Sequence, residues 1–200
     1  MEPIISQEEL QKLMGVDRKV RGMGIKAHAD FVLEREGEEA LAKLEKAITE
    51  AGYPVKYAEL DNMVFYPQGL EVATLIAIQR LFNYDEEKFE EMGKFGVKIS
   101  LLVKLFMKYF ISLEKLAQQA SPMWKKGGDL GDLKIGHYSK EEKYIILRIE
   151  NFNSHPLYCP VFRGYFSKAI EMITGKEATC QETKCGFKGG EFHEFRIEWN

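Results

Sequence analysis

The chain has 200 residues, with 28 basic and 31 acidic side chains and a formal charge of −3. This length suits one domain, or one domain with an appendage, whose hydrophobic core needs no disulfide bonds for stability. The slightly acidic balance argues against nucleic acid as the main partner, since phosphate binding needs a basic surface. Three cysteines, and a start (MEPIISQEEL) without a secretory signal pattern, predict a reduced cytoplasmic protein.

The first 120 residues predict a series of helices. Ser6 with Glu9 forms a capping-box pattern, which predicts a short helix that ends near Gly15. A bend over residues 16–24 and a short strand over residues 64–66 interrupt the helical pattern. Further helices are predicted over residues 27–37, 38–51, 70–82, 85–96 and 101–119. The longest apolar stretch, Leu101–Leu113, contains two lysines, so we expect no membrane span.

The pattern changes after Gly127-Gly128. Residues 132–138 and 144–152 flank the polar turn SKEEK and predict a β-hairpin. Cys159-Pro160 then opens a helix that Gly175 ends, and two short strands over residues 177–183 and 192–198 follow. This order predicts an α+β fold, in which a helical N-terminal part precedes an antiparallel sheet flanked by helices. We divide it into a helical region over residues 1–60 and a second domain over residues 61–200, joined in one compact unit.

Four side chains near the C-terminus have the chemistry of a metal site: Cys159, Glu182, Cys185 and His193. Thiolate, carboxylate and imidazole groups are the ligands of tetrahedral zinc, and four protein ligands leave no open position for catalysis. The alternative is ordinary packing, because a free cysteine often behaves as a small buried hydrophobic residue. Cys180 competes as a ligand, since it shares a strand face with Glu182.

The stretch from Tyr158 to Trp199 resembles the 4-vinyl reductase domain. That domain belongs to a superfamily that includes haem-nitric-oxide-binding sensors and TRAPP vesicle-tethering subunits. The matching elements are Cys159 at a helix start, Gly164-Tyr165, Gly175, Glu182-Thr183-Lys184-Cys185, Gly189-Gly190 and His193-Glu194-Phe195-Arg196-Ile197. His193 stands where the family usually has cysteine, and histidine is also a zinc ligand. The resemblance implies one structural Zn²⁺ ion bound by the four side chains.

The helical part is rich in aromatic residues, and their simplest interpretation is an ordinary core. The resemblance implies instead a hydrophobic cavity between the 101–119 helix and the 132–152 hairpin, which would bind a small hydrophobic or aromatic molecule. The predicted contacts in this cavity are Phe106, Tyr109, Phe110, Trp124 and His137.

The leading functional hypothesis is a cytoplasmic ligand-binding sensor or carrier with a structural zinc. The resemblance implies a homodimer formed through the helical half, where residues 70–82 offer an apolar surface, and a separate signalling protein as partner.

One alternative is an enzyme or accessory subunit of tetrapyrrole vinyl reduction, and another is a TRAPP-like scaffold with Cys180 as its spare thiol. No nucleotide-binding or nucleophile motif is present, which favours a non-catalytic protein. His28 as a haem ligand is disfavoured, because a lone histidine on an amphipathic helix is more often hydrogen-bonded or at the surface.

Overall fold

The computed structural model describes residues 3–99 and 113–200. These residues form two compact units. The first unit contains the chain up to Lys88 together with Gly127–Asp129, and the second contains Phe89–Lys126 and Leu130–Asn200. The boundary that we predicted at residue 60 falls inside the first unit, because residues 65–82 pair with and pack on the elements that precede them.

The first unit consists of helices and one two-stranded ribbon. Its elements are α1 (Gln7–Met14), β1 (Lys19–Arg21), α2 (Gly22–Glu36), α3 (Glu38–Glu50), β2 (Phe65–Pro67) and α4 (Gln68–Phe82). The Ser6 hydroxyl accepts a hydrogen bond from the Glu9 amide at 3.1 Å, which confirms the predicted cap of α1. The bend predicted over residues 16–24 is wrong, because β1 pairs there with β2 in antiparallel register.

Helix α4 is the central element of the first unit and packs against α1, α2 and α3. Its residues from Gln68 to Ile78 are buried on all sides, as expected of a helix whose apolar residues do not form a single stripe. This burial corrects our prediction that residues 70–82 offer a dimer surface, since Leu70, Leu75 and Ile78 have no exposed area.

The second unit combines helices with a four-stranded sheet. Helix α5 (Glu86–Ile99) belongs to this unit from Phe89 onward. It is followed by α6 (Leu113–Gly127), β3 (Asp132–Ser139), β4 (Tyr144–Glu150), α7 (Tyr158–Thr174), β5 (Ala178–Lys184) and β6 (His193–Trp199). The sheet is antiparallel, in the order β3-β4-β6-β5. The predicted α+β class is therefore confirmed. The start of the predicted 101–119 helix lies outside the described residues, and α6 continues past the predicted end, with Pro122 inside it.

Helices α5 and α7 are in close contact at two glycines, Gly93 and Gly164. A Cβ atom added to Gly164 would lie 1.9 Å from the Glu90 carbonyl oxygen, and one added to Gly93 would lie 2.1 Å from the Val161 carbonyl oxygen. The two backbones are thus in direct contact, and α7 packs on its other side against β5 and β6. In the part of the chain that the structure describes, no helix combines the length and the apolar character that a membrane span requires.

Candidate functional site

Four of the side chains that we predicted to bind metal lie together in the second unit. One ligand atom from each of Cys159, Glu182, Cys185 and His193 lies within 4.8 Å of all the others. Cys159 is the second residue of α7, Glu182 lies on β5, Cys185 directly follows β5, and His193 opens β6. The α7 N-terminus places its positive dipole end at Cys159, which favours a thiolate there. We call these four residues the C-terminal cluster.

The register of the sheet points two members of the cluster to one face. His193 lies opposite Ile149 of β4, and Glu182 lies opposite Phe195, two residues along β6 from His193. Because directly opposed residues and alternate residues share a face, Glu182 and His193 both point to the side that carries the buried Ile149 and Phe195. The register between β5 and β6 shifts after Glu182, as in a β-bulge, just before Cys185.

A tight turn after β5 brings Cys185 to the cluster. The Cys185 carbonyl accepts hydrogen bonds from the amides of Lys188 and Gly190, both at 3.0 Å. Gly189 has a φ of 90°, a conformation that glycine adopts without strain. Gly186 allows a close approach of the imidazole, because a Cβ atom there would lie 2.8 Å from Nε2 of His193. The glycines of GFKGG are thus part of the geometry of the cluster.

The hydrogen bonds of His193 define which ring nitrogen faces the cluster. Nε2 lies 3.3 Å from the Phe152 carbonyl oxygen, which can only accept a hydrogen bond. Nδ1 lies 2.9 Å from the Glu182 carboxylate and 3.7 Å from Sγ of Cys159. An N–H on Nδ1 would donate to that carboxylate, whereas in the Nε2–H tautomer the lone pairs of Nδ1 and the carboxylate face each other and could share a cation. A histidine that donates one N–H to a backbone carbonyl has the orientation typical of a metal ligand.

The electrostatics of the cluster also favour a cation. Burial raises the pKa of the Cys159 thiol far above its usual range, and the nearby Glu182 carboxylate and Cys185 raise it further. Burial also acts to raise the pKa of Glu182, but hydrogen bonds with His193, Cys159 and Cys185 outweigh it, so this pKa is lowered. These shifts favour a negative carboxylate beside a thiol whose ionisation burial opposes, so positive charge at the cluster, from the helix dipole or from a cation, would stabilise the thiolate.

The cluster has a buried side and an open side. Cys159 and His193 are buried, whereas Glu182 and Cys185 are half-buried. These two half-buried residues line a surface cavity of about 380 Å³ together with Lys184, Lys188 and other residues of the turn. A small solute can therefore approach the cluster from the side of Cys185.

Cys180, which we considered as a competing ligand, lies outside the cluster. It faces the same side of β5 as Glu182, opposite Ile197, and is half-buried. Burial is the main cause that raises the pKa of its thiol. Cys180 does not belong to the group of ligand atoms around His193.

The residues of the predicted hydrophobic cavity are only partly described. Phe106, Tyr109 and Phe110 lie outside the described residues. The Trp124 indole donates to the Leu130 carbonyl oxygen at 3.1 Å, and its ring contacts those of Phe162, Tyr165 and Phe166. His137 is exposed, with its Nδ1 2.7 Å from the Tyr144 hydroxyl. Ligand binding by these residues stays a prediction.

A buried hydrogen-bonded pair in the first unit was not anticipated. Nε2 of His28 on α2 lies 3.1 Å from the Glu71 carboxylate on α4, and both residues are buried. Nδ1 of His28 is buried without a hydrogen-bond partner among the described residues. The signal in the sequence was Glu71, a carboxylate within the apolar run QGLEVATLIAI, because a buried charge requires a partner.

Comparison with solved structures shows what the fold is similar to. An H-NOX protein from S. oneidensis in the Fe(II)NO ligation state aligns with a TM-score of 0.67 and 13% identity, over 90% of this chain and 99% of that one. An unliganded Fe(II) H-NOX variant from K. algicida aligns with a TM-score of 0.63 and 15% identity, over 90% and 96% of the two chains. An H-NOX variant from T. tengcongensis aligns with a TM-score of 0.62 and 13% identity, over 90% and 97%. At these identities the matches show a shared fold.

No family model matches the chain, and no curated protein sequence matches it. The structural matches correct two of our sequence predictions. The resemblance to the 4-vinyl reductase domain is wrong as an assignment, because the matching structures are H-NOX domains. Zinc as the cofactor is wrong on the same comparison, since related structures are described as studies of haem distortion and haem redox potential.

Proposed function

We propose that this chain is a sensor domain that binds a small molecule. The observation that carries the proposal is the fold, which aligns over 90% of this chain and 99% of an H-NOX protein studied with nitric oxide bound to its iron. Alignment over nearly the whole length of both chains means that the helical unit and the sheet unit each have a counterpart.

Haem is the cofactor to test first, because the structural neighbours are described with it. Haem iron is held by an axial histidine, cysteine, methionine or tyrosine side chain. His28 has the donor arrangement that fits, since one ring nitrogen pairs with the Glu71 carboxylate and the other is buried without a partner. A carboxylate on one nitrogen makes the other a stronger ligand. A bound haem would supply an iron atom that takes up a diatomic gas.

Titration of the purified protein with haemin tests this part of the proposal. We expect saturable binding with a Soret band that shifts when nitric oxide is added, and loss of the histidine-ligated spectrum in His28→Ala. His155→Ala is the matched control, because His155 already accepts a hydrogen bond from the Leu157 amide at 3.2 Å. Absence of saturable haemin binding would refute haem as the cofactor. Identical spectra for both variants would exclude His28 as its ligand.

The C-terminal cluster supports a second part of the proposal, namely that it holds a divalent transition-metal ion. The support comes from two thiols, one carboxylate and one imidazole whose ligand atoms lie within 4.8 Å of one another. The Nδ1 of His193 that faces a carboxylate at 2.9 Å adds to it. Such an ion would connect the start of α7 to the turn between β5 and β6. It would have a structural role, because four protein ligands leave no open position for substrate.

Metal analysis of the protein after gel filtration tests this site and identifies the ion. We expect one equivalent per chain, and much less in Cys185→Ser and His193→Ala. Cys180→Ser is the matched control, since Cys180 is a half-buried thiol outside the cluster. A folded protein without metal, or equal metal content in all of the variants, would refute the metal site.

The oligomeric state and the location are further parts of the proposal. We propose a homodimer in the cytoplasm that signals to a separate protein, on the basis of the sequence and of the shared sensor fold. Light scattering during gel filtration measures the mass directly. A single species at the 23.1 kDa of one chain would refute the dimer.

A further inference from the structure

We propose that Glu71 is a positioning residue for His28 and that its carboxylate sets how strongly this histidine binds the haem iron. The proposal rests on the proposed function, in which His28 is the axial ligand. Nε2 of His28 lies 3.1 Å from Oε1 of Glu71. Nδ1 of the same ring is buried without a hydrogen-bond partner among the described residues, so it is the nitrogen that remains for iron.

Burial makes the charge of Glu71 effective at this distance. His28 is 6% exposed and Glu71 is 4% exposed, and both lie where α2 packs on α4 inside the first unit. Electrostatic interactions are stronger in such an interior than in water, because the local dielectric constant is low. The carboxylate therefore acts on the imidazole ring with little screening by solvent.

A glycine leaves the space that the carboxylate occupies beside the ring. Gly24 lies four residues before His28 on α2, so the two residues share one face of the helix. A Cβ atom added to Gly24 would lie 2.9 Å from Oε1 of Glu71, the same oxygen atom that faces Nε2 of His28. A larger residue at position 24 would therefore displace this oxygen from the histidine.

The contact has a defined effect on the histidine as a ligand. With the ring proton on Nε2, this N–H donates to the Glu71 carboxylate and Nδ1 keeps its lone pair. The negative charge of the acceptor raises the electron density of the ring and makes Nδ1 a stronger ligand. Hydrogen bonding to the axial ligand is one of the means by which a protein sets the potential of haem iron. A stronger donor favours the ferric state, so Glu71 should lower the reduction potential.

Haemin titration, redox titration and resonance Raman spectroscopy of the full chain test the proposal with Glu71→Gln. Glutamine keeps an oxygen that accepts the Nε2 proton, but it carries no charge. We expect the haemin affinity to fall about 10–100-fold, as is typical when the hydrogen-bond partner of a metal-binding histidine is replaced. The reduction potential should rise, and the iron–histidine stretching frequency should fall. Gly24→Ala should shift all three values in the same direction.

Glu45→Gln is the matched control, because Glu45 is another buried carboxylate of the first unit. It accepts hydrogen bonds from the Lys56 side chain and the Tyr57 amide. This variant should lower the melting temperature of the haem-free chain but keep the wild-type potential and Raman band. If Glu71→Gln also kept both values, Glu71 would have no role at the ligand, and His28 could still bind the iron. A wild-type chain that binds no haemin would overturn the cofactor and this proposal together.

NMR of the haem-free chain gives a result that does not depend on the cofactor. The ¹⁵N shifts of the His28 ring, assigned by their absence in His28→Ala, should show the proton on Nε2 and none on Nδ1. Glu71→Gln should move the Nε2 resonance. A proton on Nδ1 in the wild type would overturn the proposal, because that nitrogen would then have no lone pair for iron.

Discussion

The variant Gly164→Ala tests the close contact between α5 and α7 in the second unit. A Cβ atom at position 164 would lie 1.9 Å from the Glu90 carbonyl oxygen, whereas ordinary contact begins at 3.4 Å. The two helices would have to separate by the difference, about 1.5 Å, since both contacting groups are near the backbone and cannot rotate away. This separation would disturb α7, which carries Cys159 at its start and packs on the sheet.

The expected cost follows from two opposing effects. Overpacking of a tight contact costs about 1–3 kcal/mol, and a contact with backbone belongs at the upper end of that range. Alanine is favoured over glycine inside a helix by about 1 kcal/mol. The free energy of unfolding should therefore fall by about 2 kcal/mol, which for a chain of this size lowers the melting temperature by about 4–8 °C.

Thermal unfolding followed by circular dichroism measures this shift. Gly127→Ala is the matched control, because it also replaces a helical glycine but meets no atom within 4 Å. We expect the control to melt at or slightly above the wild-type temperature. Equal melting temperatures for the two variants would refute the close approach of α5 and α7, since a helical glycine without neighbours has no such cost.

Three further changes test separate interactions. Cys185→Ser should lower both metal content and melting temperature, because the free energy of metal binding at such a site contributes to folding. Glu194→Gln should cost about 1 kcal/mol at pH 7 and progressively less as the pH falls below about 4, as measured by urea unfolding. Tyr57→Phe should cost about 1 kcal/mol in the same assay, because it removes the 2.9 Å hydrogen bond between the buried Tyr57 hydroxyl and Thr74.

The pH dependence of the Glu194 effect follows from the direction of its pKa shift. Burial acts to raise the pKa of Glu194, but hydrogen bonds with Arg148 and Thr183 outweigh it, so this pKa lies below its usual value. A lowered pKa in the folded state stabilises the protein above the unfolded pKa, near 4.3, and this contribution is lost as the pH falls through the folded value. Glu198→Gln is the control, since the Glu198 side chain is 56% exposed in its ion pair with Arg196. A Glu194→Gln cost that does not decrease as the pH is lowered below about 4 would contradict this reasoning.

For Cys185→Ser and Tyr57→Phe, a specific result would contradict the expectation. An unchanged melting temperature in Cys185→Ser, together with unchanged metal content, would show that the cluster does not bind metal through Cys185. For Tyr57→Phe, the Thr74 hydroxyl keeps its 2.8 Å hydrogen bond to the Leu70 carbonyl oxygen, so no buried hydroxyl is left without a partner. A loss well above 2 kcal/mol would therefore indicate that the ring itself had moved.

Local features could be predicted from the sequence because a few neighbouring residues encode them. Ser6 caps α1, Gly175 ends α7 with a φ of 67°, and the polar turn after Ser139 joins the two strands of the hairpin. Each depends on the hydrogen-bonding or steric properties of residues within about four positions of one another. The ligand types of the C-terminal cluster could also be read from the sequence, since thiol, carboxylate and imidazole groups are recognisable wherever they stand.

The tertiary structure decided how distant residues meet. The register of β6 against β4 and β5, and the shift after Glu182, determine that His193 and Glu182 share a face. The Phe152 carbonyl oxygen, 41 residues before His193, lies 3.3 Å from one ring nitrogen and so leaves the other nitrogen to face the cluster. His28 meets Glu71 only because α2 packs on α4. These contacts join positions far apart in the chain, and packing of whole elements selects them, so no short stretch of sequence contains them.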